Sequence, residues 1–183
     1  MKTQIMYHIN YEKAIEALVW LADRKPGIDI YHVAKVLFYA DKKHVNRYAR
    51  PILGDTYICM EYGPVPSGVR DLITEDSWLS PDYVQKASEA LIVEKRPHST
   101  LKAKRKPNLI LFSQTDLECL NESLSEYGER SFSELKELTH SEKCWVESGA
   151  NQSIDYALFV DDDNPNREEI LGEMAETAAY IQV

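Results

Sequence analysis

Apolar residues recur at three- and four-residue steps in the first part of the chain, which is the spacing of amphipathic helices. The pattern predicts a first helix over residues 11–24, which the Lys-Pro-Gly turn at 25–27 ends. Asp29 offers an N-cap oxygen for a second helix over residues 30–48. The apolar face of this second helix is wide, so we expect it to be buried on more than one side.

The polarity pattern changes to alternation over residues 56–61, which is typical of a strand. The Gly-Pro-Val-Pro stretch at 63–66 is expected to end this strand, because proline has no N–H to donate to a ladder. Two short helices are expected next, over residues 67–73 and 81–90. Two later apolar runs, at 90–96 and 108–113, are expected to pair across a polar loop and to join the 56–61 strand.

Helix start signals mark the carboxyl half. Thr115 with Glu118, and Ser131 with Glu134, match the capping box and predict two helices. Asn164 and Pro165 are suited to opening a last helix. The elements predict a mainly α (α+β) fold, a single helical domain over residues 1–183 with a small antiparallel β-sheet of two to three strands. Residues 150–183 form a helical, acidic carboxyl-terminal extension in this interpretation.

Composition and charge narrow the function classes. A hydrophobic fraction of 44% with 28% charged residues favours a folded protein over a disordered one. The net charge of -9 opposes general attraction to a phosphate backbone, so nucleic acid is not the expected partner. No run approaches the about 20 apolar residues of a membrane span, and the first residues lack a signal-peptide pattern. We expect a cytoplasmic protein without a membrane partner.

Candidate chemistry is sparse. The three cysteines lie far apart and form no metal-binding spacing, so buried free thiols are expected and no metal site is predicted. Phosphate-binding glycine loops, nucleophile motifs and zinc-protease motifs are all missing from the sequence. We therefore expect no enzyme activity and no cofactor. A hydrolase that uses Asp41, His44 or His140 remains the enzymatic alternative.

Basic residues cluster in the segment 95–106, whereas acidic residues dominate after Asp155. The simplest interpretation is a solvated hairpin loop. The functional interpretation is contact with an acidic partner, and the residues proposed for that contact are Lys102, Lys104, Arg105 and Lys106. A winged-helix-like, DNA-binding transcriptional regulator is the alternative function, since early helices and a basic hairpin occur in that fold.

Residues 35–73 contain a specific motif series: an aromatic-Tyr-x-Asp element, then Tyr-x-Arg-Pro-Ile-x-Gly-Asp, then Tyr-Gly-Pro-Val-Pro. A His-Ser pair precedes Trp145 by a few residues further on. The series resembles the signature of the Panacea domain of SocA-like antitoxins, with Ala49 in place of the more common Gly. The positions taken as structural parts of this signature are Tyr39, Asp41, Pro51, Gly54, Gly63, Pro64, Pro66, His140 and Trp145.

The resemblance implies an antitoxin that neutralises a cognate toxin protein, encoded beside it, by direct protein–protein binding. The founding SocA-like case acts as an adaptor that delivers its toxin to a ClpXP protease, so a ClpXP-type protease is a second partner class. Tyr48, Arg50, Asp55 and Tyr62 are the candidate partner-binding pocket, with Arg50 paired to Asp41 or Asp55. The alternative is that this hinge only packs a strand onto helices and fixes the angle of the next helix.

Overall fold

The computed structural model describes residues 4–75, 78–95 and 97–181. Two predicted helices, α1 (Tyr11–Arg24) and α2 (Ile30–Tyr48), have the expected bounds. Asp29 caps α2 as predicted, because its side chain accepts the His32 backbone N–H. Ala49 ends α2 in the left-handed conformation, with φ of 53°, so the turn is kept although a Cβ makes this conformation costly.

The other helices and strands confirm a mainly α fold with small antiparallel sheets. The helices are α3 (Ser67–Thr74), α4 (Pro81–Ala90), α5 (Gln114–Tyr127), α6 (Phe132–Ser141), α7 (Lys143–Glu147) and α8 (Arg167–Ile181), with 3₁₀ turns at Leu109–Leu111 and Tyr156–Phe159. The strands are β1 (Ile28–Asp29), β2 (Tyr57–Met60), β3 (Gly63–Pro66), β4 (Leu91–Glu94) and β5 (Thr100–Ala103). One sheet has the order β1-β5-β4, and the other is the β2-β3 hairpin.

Strand β2 ends at Met60, before the Gly-Pro-Val-Pro stretch, but this stretch itself forms strand β3, which the sequence did not predict. In the register, Pro64 lies opposite Cys59 and Pro66 opposite Tyr57. Ser67 donates its N–H to the Thr56 carbonyl, which makes these two pairs the ones that exchange no hydrogen bonds. The prolines therefore occupy positions on an edge strand where no N–H is needed.

The second strand pair also differs from the prediction. Strand β4 pairs with β5, which lies inside the segment expected to be a loop, whereas the 108–113 run contains a 3₁₀ turn with exposed side chains. The pair joins β1 and not the hairpin. Strand β5 was not predicted because only Leu101 gives it an apolar position. Leu101 is buried between Thr100 and Lys102, as in an alternating strand, but the basic residues around it made the segment look like a loop.

One correction concerns the start of a helix, and other contacts describe the carboxyl end of the chain. Helix α5 is capped by Ser113 with Asp116 instead of Thr115 with Glu118, while the predicted box of Ser131 and Glu134 on α6 is confirmed. Residues 151–154 pair with the outer edge of β2, and the turn at Tyr156–Phe159 is part of the core. The chain after residue 150 thus packs into the fold, and all three cysteines are buried free thiols as predicted.

Candidate partner interface

The loop that follows α2 is fixed by a buried carboxylate. Asp41 on α2 accepts the Ile52 N–H at 2.7 Å and the Tyr57 hydroxyl at 2.9 Å. Burial raises the pKa of Asp41 to about 6, although both donors favour its charged form. Asp41 therefore joins α2, the loop and strand β2 from inside the protein, where it is closed to solvent.

Asp55 acts as a remote cap for α3. The residue at the N-cap position of this helix is Pro66, which makes no side-chain cap bond. The Asp55 carboxylate replaces it and accepts the N–H groups of Gly68 and Val69, both at 2.9 Å. Burial raises the pKa of Asp55 to about 6. Because the Asp55 carboxylate binds two N–H groups of the first turn of α3, it fixes the direction of this helix.

Arg50 pairs with Asp116 on α5, with 3.0 Å between guanidinium and carboxylate. The prediction that it pairs with Asp41 or Asp55 is wrong, because those two carboxylates face inward to other partners. Lys13 and His44 contact the same Asp116 carboxylate at 2.6 and 3.1 Å. Burial opposes the charged form of Asp116, but these hydrogen bonds outweigh it and hold its pKa well below the ordinary value. The cluster joins α1, α2 and α5.

The β2-β3 hairpin is held from outside by two stacked rings. His140 and Trp145 lie parallel with ring centroids 3.8 Å apart. The Trp145 indole N–H donates to the Met60 carbonyl at 3.0 Å, and the His140 Nε2 hydrogen-bonds the Glu61 carbonyl at 2.9 Å. Both carbonyls belong to the bend of the hairpin, so the ring pair fixes this bend relative to α6 and α7.

A lysine holds the other side of the hairpin. Lys35 is fully buried on α2, and its Nζ donates to the Pro64 carbonyl at 2.9 Å. The same ammonium lies 4.8 Å from the centroid of the Tyr31 ring. Burial lowers the pKa of Lys35 to about 7.

Aromatic side chains meet on the surface above Lys35. Tyr62 and Phe132 are 45% and 47% exposed, and their ring centroids are 5.4 Å apart. The ring centroids of Tyr31 and Phe132 are 4.5 Å apart, and the Lys136 ammonium lies 5.3 Å from the centroid of the Tyr62 ring. We call Tyr31, Tyr62, Phe132 and Lys136 the hairpin patch. It is an exposed aromatic surface on a backbone that is fixed from two sides.

Comparison with known proteins identifies the family. A family model described as an antitoxin SocA-like, Panacea domain matches residues 33–146. The chain is a member of the SocA-like antitoxin family. No curated protein and no solved structure matches it. Membership supports an antitoxin role and, in general terms, a toxin as the partner.

Most signature positions of this SocA-like antitoxin have internal structural roles. Tyr39 stacks on Tyr127 with centroids 3.9 Å apart, and Asp41, Asp55 and Trp145 hold backbone groups as described. Tyr62 differs, because its ring is exposed at the bend of the hairpin. The signature therefore describes a scaffold with two exposed aromatic side chains, Tyr48 at the end of α2 and Tyr62 on the hairpin.

The four residues predicted to form a pocket have separate surroundings. Asp55 caps α3, Arg50 pairs with Asp116, and Tyr62 packs on Phe132. Tyr48 is exposed at the end of α2, with its ring 4.7 Å from the ring of His44. Sequence reasoning missed Tyr31, Phe132 and Lys136. The available signal was Phe132, a large apolar residue directly after the Ser131 cap and outside the buried positions Leu135 and Thr139 of α6.

The basic segment is neutralised to a large extent by acids of the same chain. Arg96 lies outside the described residues, and Lys104 donates to the Ser88 carbonyl. The ion pairs are Lys95 with Glu75, Lys102 with Glu94, Arg105 with Glu16 and Lys106 with Asp23. Partner binding by this segment stays a prediction, and its paired cations offer less free charge to a phosphate backbone than the sequence suggests.

The enzymatic candidates are each engaged by structural partners. Asp41 and His44 are buried, and His140 is engaged by the hairpin bend. Across residues 4–75, 78–95 and 97–181, no group of three or more His, Cys, Asp or Glu side chains is arranged to hold a metal ion. Within the same residues, no helix has the length and apolar character needed to cross a membrane.

Proposed function

We propose that this protein neutralises a cognate toxin protein in the cytoplasm by binding it directly through the hairpin patch. One observation carries the proposal: Tyr62, a residue of the family signature, is exposed beside Phe132 on a rigid hairpin. Family membership supports the toxin as the partner.

The chemistry of the patch suits protein recognition. Aromatic side chains are enriched at interface centres, because a large ring buries much area and loses little conformational entropy. The hairpin patch offers Tyr62 and Phe132 in contact, with Tyr31 behind them. The His140–Trp145 stack and the Lys35 bond hold the hairpin in place before binding, so little ordering cost remains for the complex.

A binding role also fits the state of the reactive side chains. The carboxylates of Asp41 and Asp55 are buried and accept backbone N–H groups. His44 is buried between the Arg50 carbonyl and the Thr115 hydroxyl. Because these groups face inward to structural partners, we infer that the protein acts as a surface and not as a catalyst. Delivery of the bound toxin to a ClpXP-type protease stays a prediction.

The test uses the product of the open reading frame adjacent to this protein's gene. We expect that product alone to arrest growth, and co-expression of this protein to restore growth and to give a complex that co-purifies. Tyr62→Ala and Phe132→Ala should each weaken the complex by about tenfold or more, as expected for central aromatic residues. The matched control is Ile110→Ala, at an apolar side chain that is 90% exposed on the turn at Leu109–Leu111.

The contrary results are distinct. If the adjacent product neither arrests growth nor binds this protein, neutralisation of that neighbour by direct binding is wrong. If the complex forms and both patch variants bind as tightly as Ile110→Ala, the hairpin patch is not the binding surface. Thermal melts of each variant show whether a loss of binding comes from unfolding instead.

A further inference from the structure

Two carboxylates without a cation partner lie beside the rings of the hairpin patch. Glu61 precedes Tyr62 at the bend of the hairpin, and Glu137 follows Lys136 on α6; both glutamates are exposed. In the described parts of the chain, no lysine, arginine or histidine nitrogen lies within 4.0 Å of either carboxylate. The two acids outnumber Lys136, the accessible cation of the patch.

The other charged groups around the patch do not reverse this balance. Glu134 is held by Ser131 and lies 4.0 Å from the Arg130 guanidinium. Lys35 is buried below the rings and donates to the Pro64 carbonyl, so it presents no charge to a partner. The remaining contacts between charged side chains at this end of the molecule are Lys25 with Glu129 and His32 with Asp29. The accessible charge of the patch is therefore negative, like that of the whole chain.

The Tyr62 ring already binds a cation of its own chain. The Lys136 ammonium lies 5.3 Å from the ring centroid, and no carboxylate of the described residues lies within 4.0 Å of this ammonium. The face of an aromatic ring attracts a cation electrostatically, and here it does so without help from an acid. Phe132 is 47% exposed and offers a second ring beside Tyr62. The patch can therefore accept a positive side chain from a partner.

An open cleft of about 510 Å³ connects the rings with the carboxylates. It runs along α6, and the residues lining it are Ser133, Lys136, Glu137, His140 and Ser141. His140 also hydrogen-bonds the Glu61 carbonyl, which brings the backbone of Glu61 close to the same cleft. A long basic side chain that crosses the Tyr62 ring into this cleft meets the Glu137 carboxylate in its wall.

We propose that the toxin segment bound at the hairpin patch is basic, with an arginine that stacks on Tyr62 and Phe132 and pairs with Glu137. This inference rests on the proposed function. Arginine suits the site because its planar guanidinium stacks on aromatic faces and binds a carboxylate through two N–H groups at once. Lys136 occupies the ring face in the free protein, and the incoming arginine displaces it.

The experiment measures affinity for the purified product of the adjacent open reading frame at two salt concentrations. Glu61→Lys and Glu137→Lys should each weaken binding by about tenfold and reduce its dependence on salt, since reversing an interface charge acts on both. Lys136→Met should strengthen binding by about threefold, because it removes the competing cation from the ring. Glu173→Lys is the matched control, because it makes the same charge change at an exposed glutamate of α8.

The results separate this inference from the proposed function. Weakening by Glu137→Lys, no weakening by Lys136→Met and little effect of Glu173→Lys support the basic segment. If Phe132→Ala weakens the complex while Glu137→Lys does no more than Glu173→Lys, the patch is the interface and the basic segment is wrong. If Glu137→Lys strengthens binding and Lys136→Met weakens it, the partner segment is acidic and the inference is overturned. If no wild-type complex forms, the proposed function fails and this inference fails with it.

Discussion

Lys35 shows how one residue can replace a missing strand. Strand β3 has an open edge, and among residues 4–75, 78–95 and 97–181 no strand pairs with the Pro64 carbonyl on that edge. Lys35 donates to this carbonyl from α2 and so satisfies a backbone group that would otherwise be costly to bury. The cost of the arrangement is a buried amine, which favours the neutral form.

The first residue-scale prediction concerns the pH dependence of stability. The pKa of Lys35 is 10.5 in the unfolded chain and about 7 in the folded protein. Between these values the unfolded chain binds the proton and the folded protein does not, so stability rises with pH. Relative to Lys35→Met, wild-type protein should gain roughly 2 to 3 kcal/mol of unfolding free energy between pH 7 and pH 9.

Urea denaturation at pH 6, 7.5 and 9 measures this difference. Below pH 7 the two proteins should keep a constant difference, because Lys35 is then protonated in both states. Lys104→Met serves as the control, at an exposed lysine. Parallel stability profiles for wild type and Lys35→Met across the whole range would contradict the prediction.

At the scale of the element, the hairpin depends on a glycine at its bend. Gly63 has φ of +99°, and a Cβ there would lie 2.4 Å from the Thr139 hydroxyl and 2.9 Å from the Lys35 Nζ. Gly63→Ala should therefore destabilise the protein by about 2 to 4 kcal/mol, through backbone strain and overlap together. The midpoint of urea unfolding, followed by circular dichroism, measures the loss.

The chain supplies a control of the same chemistry. Gly172 is exposed on α8, and a Cβ there would meet no atom within 4 Å. Gly172→Ala should leave stability unchanged or raise it by about 0.5 to 1 kcal/mol, because alanine is the better helix former. Equal effects of the two substitutions would show that the close contacts at the hairpin bend carry no cost.

Elements were predictable from sequence where local signals decide them. Helix α2 has a capping Asp29 and a long apolar face, and both act within a few residues of the chain. Strand β3 was not predicted because proline has no backbone N–H to donate to a strand ladder. The register with β2 places each proline at a position where no N–H is required. The 108–113 run was assigned as a strand because short apolar runs do not distinguish a strand from a turn.

The candidate site was only partly predictable, because it depends on contacts between distant residues. Tyr62 was named from the signature, but Phe132, its neighbour in space, lies far along the chain. Arg50 was expected to bind a nearby acid and instead binds Asp116, 66 residues away. The sequence alone cannot show which carboxylate an arginine binds, because it does not show which residues lie close together in the fold.

At the scale of the whole molecule, the core extends beyond the residues that the family model matches. Trp20 on α1 is fully buried, and so are Tyr156 and Phe159 in the turn after the matched region. The ring centroid of Phe159 lies 5.2 Å from that of Phe38 and 5.4 Å from that of Tyr57, and both of these residues are inside the matched region. The matched segment thus shares its apolar interior with chain on both sides of it.

This sharing predicts that residues 33–146 do not fold alone. Removing α1 and the Tyr156–Phe159 turn exposes the apolar face of α2, and a domain with a typical stability of about 5–15 kcal/mol cannot compensate for that loss. We expect the full chain to unfold in one cooperative transition, Phe159→Ala to lose about 3–5 kcal/mol, and the 33–146 fragment to give no cooperative melt. Circular dichroism melts and the dispersion of amide proton NMR signals measure all three. A fragment with dispersed signals and a sharp melt would mean that residues 33–146 fold without the flanking residues. In that case the hairpin patch should also keep its affinity for the toxin in the fragment.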